Sequence, residues 1–334
     1  MTAATGRPGP DRPGAGQPGA GRPDAGYLGF LADALRDAGA LARHGGDRIP
    51  ATTKAGDRNQ VVTEVDRAVG ARLVQRVRAA FPDDAVLDEE AGALAGAPGH
   101  RRTWIIDPID GTSNFAAGSP LYGSMMAVLV GGAPVAAGIL LPALGELYLA
   151  ERGRGAYCNG RRLAAATPGP LADCLVGYGV DVGPEAAADW RLLARLAPHV
   201  RGVRMSNSIF DAAMVARGAY AGYVHRRLQI WDIAPIQVLV TEAGGRCTDL
   251  RGRELDYRDP LARAGQEYDA CVSAAGAGDA LRARLGIPPG RAADNGAGAE
   301  AGADTGSGTA ARDGTDADVA RAGHVAADGD GARR

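Results

Sequence analysis

Apolar positions first recur at helical spacing. Tyr27, Phe30, Leu31, Ala34, Leu35 and Leu41 share one face of a 3.6-residue period, which predicts an amphipathic helix ending near His44-Gly45-Gly46. Val65, Val69, Leu73 and Val77 return every four residues and predict a second helix. Thr63 with Asp66 three places on has the spacing of an N-terminal capping pair for it. After Pro82 the pattern changes to strands. Ala85 to Leu87 delivers Asp88, Glu89 and Glu90 to a strand end, and Thr103 to Ile106 is β-branched and aromatic, as a buried strand would be. Pro108 has no N–H for a ladder, so the chain is expected to turn there with Asp107 and Asp110 on one turn.

From Ser124 to Leu163 short apolar runs (SMMAVLV, VAAGILL, ELYLA) alternate with Gly-rich turns, and Asn159-Gly160 is a hairpin signal. This predicts a first, α+β lobe in which two helices cover an antiparallel sheet. Beyond it the chain alternates: strand-like LVGYGV near 175, helices near 185–197 and 208–217, strand-like GYVHR, a helix near 232–243, and short strands around Cys247 and Cys271. That order predicts a layered α/β second lobe. The expected domains are a lobe over 27–165, a second over 166–288, and Gly/Pro-rich, disordered low-complexity tails at 1–26 and 289–334. The tails hold too little apolar surface to offset their ordering entropy.

Composition narrows the function classes. A net charge of -2 exerts no general pull on nucleic acid, and none is expected as a partner. No stretch approaches the length of a membrane span, and no apolar leader opens the chain, so neither a membrane nor export is expected; the protein reads as cytoplasmic. Cys158, Cys174, Cys247 and Cys271 lack disulfide or zinc spacing and read as free, mostly buried thiols. Lys54 is the single lysine among 37 basic residues, either a surface side chain or a compact charge near a site.

The run WIIDPIDGTSNF, Trp104 to Phe115, carries the candidate chemistry. Two ionised carboxylates as close as Asp107 and Asp110 repel unless one is protonated or a cation neutralises both. All-oxygen ligands select a hard ion such as Mg²⁺. The N–H groups of Gly111, Thr112 and Ser113 follow as an anion cradle at a helix start. Each piece also has an ordinary structural role: Asp-Pro and Asp-Gly are turn dipeptides, Asp66 caps a helix, Glu89 and Glu90 suit a solvated loop, and Asp232 suits a first helical turn.

Taken together, DPIDGT, the downstream WDIA and EAGG, and the upstream VTEVD and DEE resemble the inositol monophosphatase family of Mg²⁺-dependent, lithium-sensitive phosphatases, over Tyr27 to Leu285. The resemblance implies an αβαβα sandwich of the inositol monophosphatase and fructose-1,6-bisphosphatase type, two to three Mg²⁺ ions, a small phosphorylated metabolite as substrate and a homodimer. It implies that Glu89, Asp107 and the Ile109 carbonyl hold one ion and that Asp107, Asp110 and Asp232 hold another, with a third near Glu89. Asp66, Glu89 and Thr112 would be catalytic, Asp66 and Thr112 by orienting and activating water. Asp110, Gly111, Thr112, Ser113, His225 and Asp232 would contact substrate.

Four positions depart from the family pattern. Gln60 replaces an Asp, Ala116-Ala117 replaces bulkier residues, and Pro235-Ile236 follows WDIA where small residues are usual and is expected to shift the helix start at Asp232. His225 stands where inositol-specific relatives place a Glu; it suits a polyol, carboxylate, amine or second phosphate, or else is a satisfied edge-strand residue. Arg226 and Arg227 beside it are expected to favour an anionic alcohol portion. Inositol 1-phosphate leads, while histidinol phosphate, fructose 1,6-bisphosphate and adenosine 3′,5′-bisphosphate stay open. A family member with a binding or regulatory role is the alternative of a different class.

Overall fold

The structure, a computed structural model, describes residues 26–45, 52–53, 61–166, 169–181 and 183–288. Lys54, Gln60, the C-terminal tail and all of the N-terminal tail but Gly26 lie outside the described residues.

In chain order the elements are α1 (Leu28–Gly45), β1 (Thr52–Thr53), β2 (Val61–Val62), α2 (Glu64–Ala80), β3 (Ala85–Asp88), β4 (Gly92–Leu94), β5 (Arg102–Asp110), α3 (Thr112–Ala116), β6 (Gly123–Val130), β7 (Ala133–Leu141), β8 (Glu146–Glu151), β9 (Gly155–Cys158) and β10 (Arg161–Arg162). There follow β11 (Leu175–Tyr178), α4 (Ala186–Leu196), β12 (Gly202–Arg204), α5 (Ile209–Ala216), β13 (Tyr220–Leu228), α6 (Ile230–Glu242), β14 (Arg246–Thr248), β15 (Tyr268–Ser273) and α7 (Gly278–Leu285). An eight-stranded sheet runs β10-β9-β8-β7-β6-β5-β3-β4, antiparallel except where β3 pairs β5. A five-stranded sheet runs β12-β11-β13-β15-β14, with β11 parallel to both neighbours. The meander expected over 124–163 is β6 to β10, and Asn159 (φ 48) and Gly160 (φ 79) take the left-handed conformation that a two-residue hairpin turn requires.

Strand alternation builds the layers. In the larger sheet Val86, Trp104, Ile106 and Met126 face outward onto Leu31 and Leu35 of α1 and Val69 and Leu73 of α2. Their neighbours Leu87, Ile105, Met125 and Ala127 face the other way. There they meet Ile209 and Ala212 of α5 and Ile233 and Val240 of α6, helices that also pack on Tyr223 and Val272 of the smaller sheet. The far face of that sheet, with Val176, Val224 and Cys271, is closed by Leu196 of α4 and by Leu281 and Leu285 of α7. The result is the αβαβα sandwich. α6 lies in the middle layer and is apolar on nearly every side, as a helix covered on both faces must be. Each fully buried Leu or Ile in these layers contributes about 1.5–3 kcal/mol by removal from water.

Two local expectations change. β5 does not end at Pro108 but continues to Asp110 through a register shift between Asp107 and Asp110. In such a bulge residues drop out of the ladder, so the missing proline N–H costs no sheet hydrogen bond. The Pro108 carbonyl instead accepts from Ser124 Oγ at 2.6 Å. The helix expected from about Asp232 begins two residues earlier, at Ile230, and contains Pro235.

Candidate active site

The acids come from elements of different layers. Asp66 is the third residue of α2 and completes a capping box: Thr63 N–H and Oγ1 both donate to its Oδ2, the former at 2.9 Å. That bond pattern leaves Oδ1 to accept from Thr112 Oγ1 at 3.0 Å, while the same hydroxyl lies 2.8 Å from the Ile109 carbonyl. Asp66 therefore both caps its helix and holds Thr112. Burial pushes its carboxyl above the ordinary value, against the opposing hydrogen bonds from Thr63 and Thr112.

The bulge in β5 turns Asp107 and Asp110 toward the start of α6. One oxygen each from Asp107, Asp110 and Asp232 lies within 4.8 Å of the others. Asp232, in the first turn of α6, accepts from Gln229 N–H at 2.6 Å, and Asp110 accepts from Ile209 N–H at 2.5 Å, at the start of α5. Asp107 is 1% exposed, and its Oδ1 has no hydrogen-bond partner among the described residues. Burial first, then the charges of Glu89, Asp110, Asp232 and Asp66, raise the Asp107 carboxyl well above its ordinary value. Asp110 is raised to about 7, mainly by burial, and Asp232 is raised by burial and by the charges of Asp110 and Glu89. Glu89 follows β3, its N–H donating to the Ile106 carbonyl at 3.1 Å, close enough for its charge to bear on all three.

Three crowded carboxylates and a buried oxygen with no partner suit a hard cation, which favours the ionised forms that burial disfavours. The donor set thus fits a metal ion. Beyond it Gly111, at φ 74, is the left-handed residue before α3, so Thr112 and exposed Ser113 occupy its first turn. Ala116 and Ala117 close that short helix.

A model of the inositol monophosphatase family matches residues 28–277. The chain belongs to the inositol monophosphatase family. A putative Nus factor SuhB from Neisseria meningitidis is 34% identical over 232 residues, covering 68% of this chain and 88% of that protein. The histidinol-phosphatase of Chlorobaculum parvum is 40% identical over 199 residues, 58% of this chain and 74% of that one. Among solved structures, the inositol monophosphatase of Thermotoga maritima superposes with a TM-score of 0.69 at 30% identity, over 78% of this chain and 96% of that one. The protein is a phosphatase of this family, and its acidic cluster is suited to a metal.

His225 lies on β13, which is flanked by β11 and β15 and is no edge strand. Its Nδ1 is 2.7 Å from Tyr223 Oη, and its Nε2 is 3.5 Å from Asp181 Oδ1. The arginines beside it are engaged by carboxylates: Arg226 by Asp189 at 3.4 Å and Asp269 at 3.7 Å, and Arg227 by Asp181 at 3.5 Å. Both arginines thus have carboxylate partners at the end of β13. Sequence reasoning missed Asp181 and Tyr223, which flank His225, and the Ile209 N–H that holds Asp110. One signal was available: Ser208 three residues before Asp211 is a cap-box spacing, and Ser208 does cap α5, its Oγ accepting from Phe210 N–H.

Proposed function

We propose that this phosphatase is a Mg²⁺-dependent phosphomonoesterase acting on a small polyol or sugar phosphate, with inositol 1-phosphate the leading substrate. The observation that carries the reading is the 3.0 Å hydrogen bond from Thr112 to Asp66 beside the cluster of Asp107, Asp110 and Asp232. Glu89, Asp107 and the Ile109 carbonyl would hold one Mg²⁺, and Asp107, Asp110 and Asp232 a second, with a third, weaker ion near Glu89. When bound, such ions offset the phosphate dianion and lower the pKa of a coordinated water. Thr112 orients the attacking water and passes its proton toward Asp66, whose carboxylate is held in place by Thr63. The N–H groups of Gly111, Thr112 and Ser113 hold the phosphate, with Asp110, Asp232 and His225 on the alcohol side. The water oxygen bonds to phosphorus as the ester P–O bond breaks, the proton it gives up goes through Thr112 to Asp66, and the leaving alkoxide takes a proton from solvent water; no covalent enzyme intermediate is needed.

A cytoplasmic homodimer and a two-lobe division near residue 165 belong to the same proposal. Among the described residues no helix is long and apolar enough to cross a membrane. The naming of the Neisseria relative as a putative Nus factor raises a binding role without turnover. The assembled acids and the Thr112–Asp66 pair support turnover, since binding alone has no need of a proton relay. The test is phosphate release from inositol 1-phosphate, histidinol phosphate, fructose 1,6-bisphosphate and adenosine 3′,5′-bisphosphate, with and without Mg²⁺. Mg²⁺-dependent release is expected; none from any ester, Mg²⁺ present, would favour the binding role.

A further inference from the structure

The stretch that leads into α5 reaches the acid cluster through one backbone group. Ile209 is the first residue of that helix, and an N–H in the first helical turn has no acceptor within the helix. Here it donates to Asp110 Oδ2 at 2.5 Å, while the next N–H, of Phe210, goes to the Ser208 cap at 3.3 Å. The stretch is stiff. Ser206 N–H and Oγ donate to Oδ2 of Asp211, a fully buried residue of α5, at 2.9 and 2.8 Å. Residues 206–211 therefore move as one unit, and whatever holds Ser206 also holds the Ile209 N–H.

Asn114 holds Ser206. It lies on α3 two residues after Thr112, and its Nδ2 donates to the Ser206 carbonyl at 2.8 Å and to the Leu121 carbonyl at 2.9 Å. The two carbonyls use both hydrogens of the amide. The Asn114 carbonyl accepts from Ser119 N–H at 2.9 Å, so the turn over 114–121 is tied to the same residue. The two segments lie in close contact: a Cβ on Gly111 would come within 3.0 Å of Ser208 Cβ and 3.1 Å of the Leu121 carbonyl oxygen. Apolar burial does little to fix the stretch before α5, since Met205 is 45% exposed. Asn207 fastens it to the smaller-sheet side, receiving the Val180 N–H at 3.1 Å and donating to the Val180 carbonyl at 2.5 Å. Asn114 fastens it to the side that carries Asp110 and Thr112.

We propose that Asn114 is a positioning residue for the metal site: its amide fixes α3 against the start of α5 and so keeps the Ile209 N–H on Asp110. This rests on the reading of Asp107, Asp110 and Asp232 as metal ligands. Asp110 stands against the like charge around it only while a donor holds one of its oxygens. Without the clamp the Ile209 N–H drifts, Asp110 turns away from Asp107 and Asp232, and a cation loses a ligand already in place. Loss of such an outer partner weakens metal binding by about 10–100-fold.

The experiment compares wild type with Asn114→Leu, which is close in shape but has no donors, at a half-buried position. Hydrogen exchange in the metal-free proteins, followed by NMR, reads the Ile209 amide, whose protection comes from Asp110 rather than from the helix ladder. Its exchange is expected to quicken about tenfold or more in the variant while amides in the last turn of α5 keep their rate. A general loss of stability does not give that pattern. Calorimetric titration with Mg²⁺ should show Kd weakened about tenfold, and the Mg²⁺ concentration for half-maximal phosphate release should rise with it. Ile209→Pro removes the same N–H at a first helical position that tolerates proline, after Ser208 in extended conformation (φ -154, ψ 170). It should weaken Mg²⁺ binding about as much, and the double variant no more than about twofold beyond either, since both act on one bond. An Ile209 amide that stays slow in Asn114→Leu, a quickened one with Mg²⁺ affinity unchanged, or effects that simply multiply in the double variant overturns the proposal. Should Asn114→Leu not fold, Asn114→Ala takes its place in each comparison. If wild type binds no Mg²⁺, the metal reading fails, and the Ile209 exchange alone decides the clamp.

Discussion

Removing metal should reverse the pH dependence of stability. Asp110 is raised to about 7 in the folded chain, whereas an unfolded Asp titrates near ~3.9. A carboxyl raised on folding binds its proton more tightly in the native state. Its stabilising effect is thus complete below the unfolded value and is lost as pH rises toward 7. Between pH 5 and 7.5 the linkage integral for this one group gives a loss of roughly 2.5 kcal/mol. Asp110 is half-buried, and solvent screening trims this to about 1–2 kcal/mol. Asp107 and Asp232 shift in the same direction and add to it. At about 2–4 °C per kcal/mol for a domain of this size, metal-free protein should melt several degrees lower at pH 7.5 than at pH 5. With saturating Mg²⁺ the ionised cluster is the favoured form, and Tm should instead rise over the same interval. The assay is differential scanning calorimetry in chelator and in Mg²⁺ at matched ionic strength. Parallel slopes in the two conditions would refute the reasoning.

Three further outcomes follow from the same geometry. Thr112→Val keeps the shape but removes the hydroxyl bonded to Asp66, so kcat should fall about 10²–10⁴-fold with KM little changed, read by steady-state phosphate release. Asp107→Asn removes charge shared by both proposed ions and should abolish Mg²⁺-dependent turnover while circular dichroism stays native; unchanged turnover would sink the ligand assignment. Leu35→Ala, at a fully buried position of α1 against the larger sheet, should cost about 2–5 kcal/mol in denaturant unfolding without altering the substrate preference.

Local patterning made much of the architecture legible. The apolar faces of α1 and α2, the β6 to β10 meander and α4 to α6 lie where their periods put them, because each buries one face or both in a defined layer. What escaped was short or context-dependent. β12 has three residues and β4 three, too few to show a period, and α7 shows only a weak apolar face. The bulge at Pro108 was hidden for another reason: a proline reads as a strand end unless the partner strand is known to slip past it. In the site, the acids were visible through their neighbours in DPIDGT and WDIA. Asp181, Tyr223 and the Ile209 N–H were not, since their positions depend on how the smaller sheet packs across α5 and α6.

The acid cluster raises the question of how a fold tolerates it. Asp107, Asp110 and Asp232, within 4.8 Å of one another, would ordinarily splay apart, yet two of these three, and Asp66 beside them, are anchored by a backbone donor. Asp66 takes the Thr63 N–H, Asp110 the Ile209 N–H and Asp232 the Gln229 N–H, each at or near the start of a helix, where the dipole also favours negative charge. The helix starts belong to α2 in the outer layer and α5 and α6 in the middle layer, so packing of the larger sheet between them fixes the spacing of the acids. Asp107 differs: it is fully buried on β5, with Oδ1 not hydrogen-bonded among the described residues. The capping role of Asp66 and Asp232 and their role in the site are therefore not competing explanations. Capping holds each side chain still, and the stillness keeps the site assembled against its own repulsion.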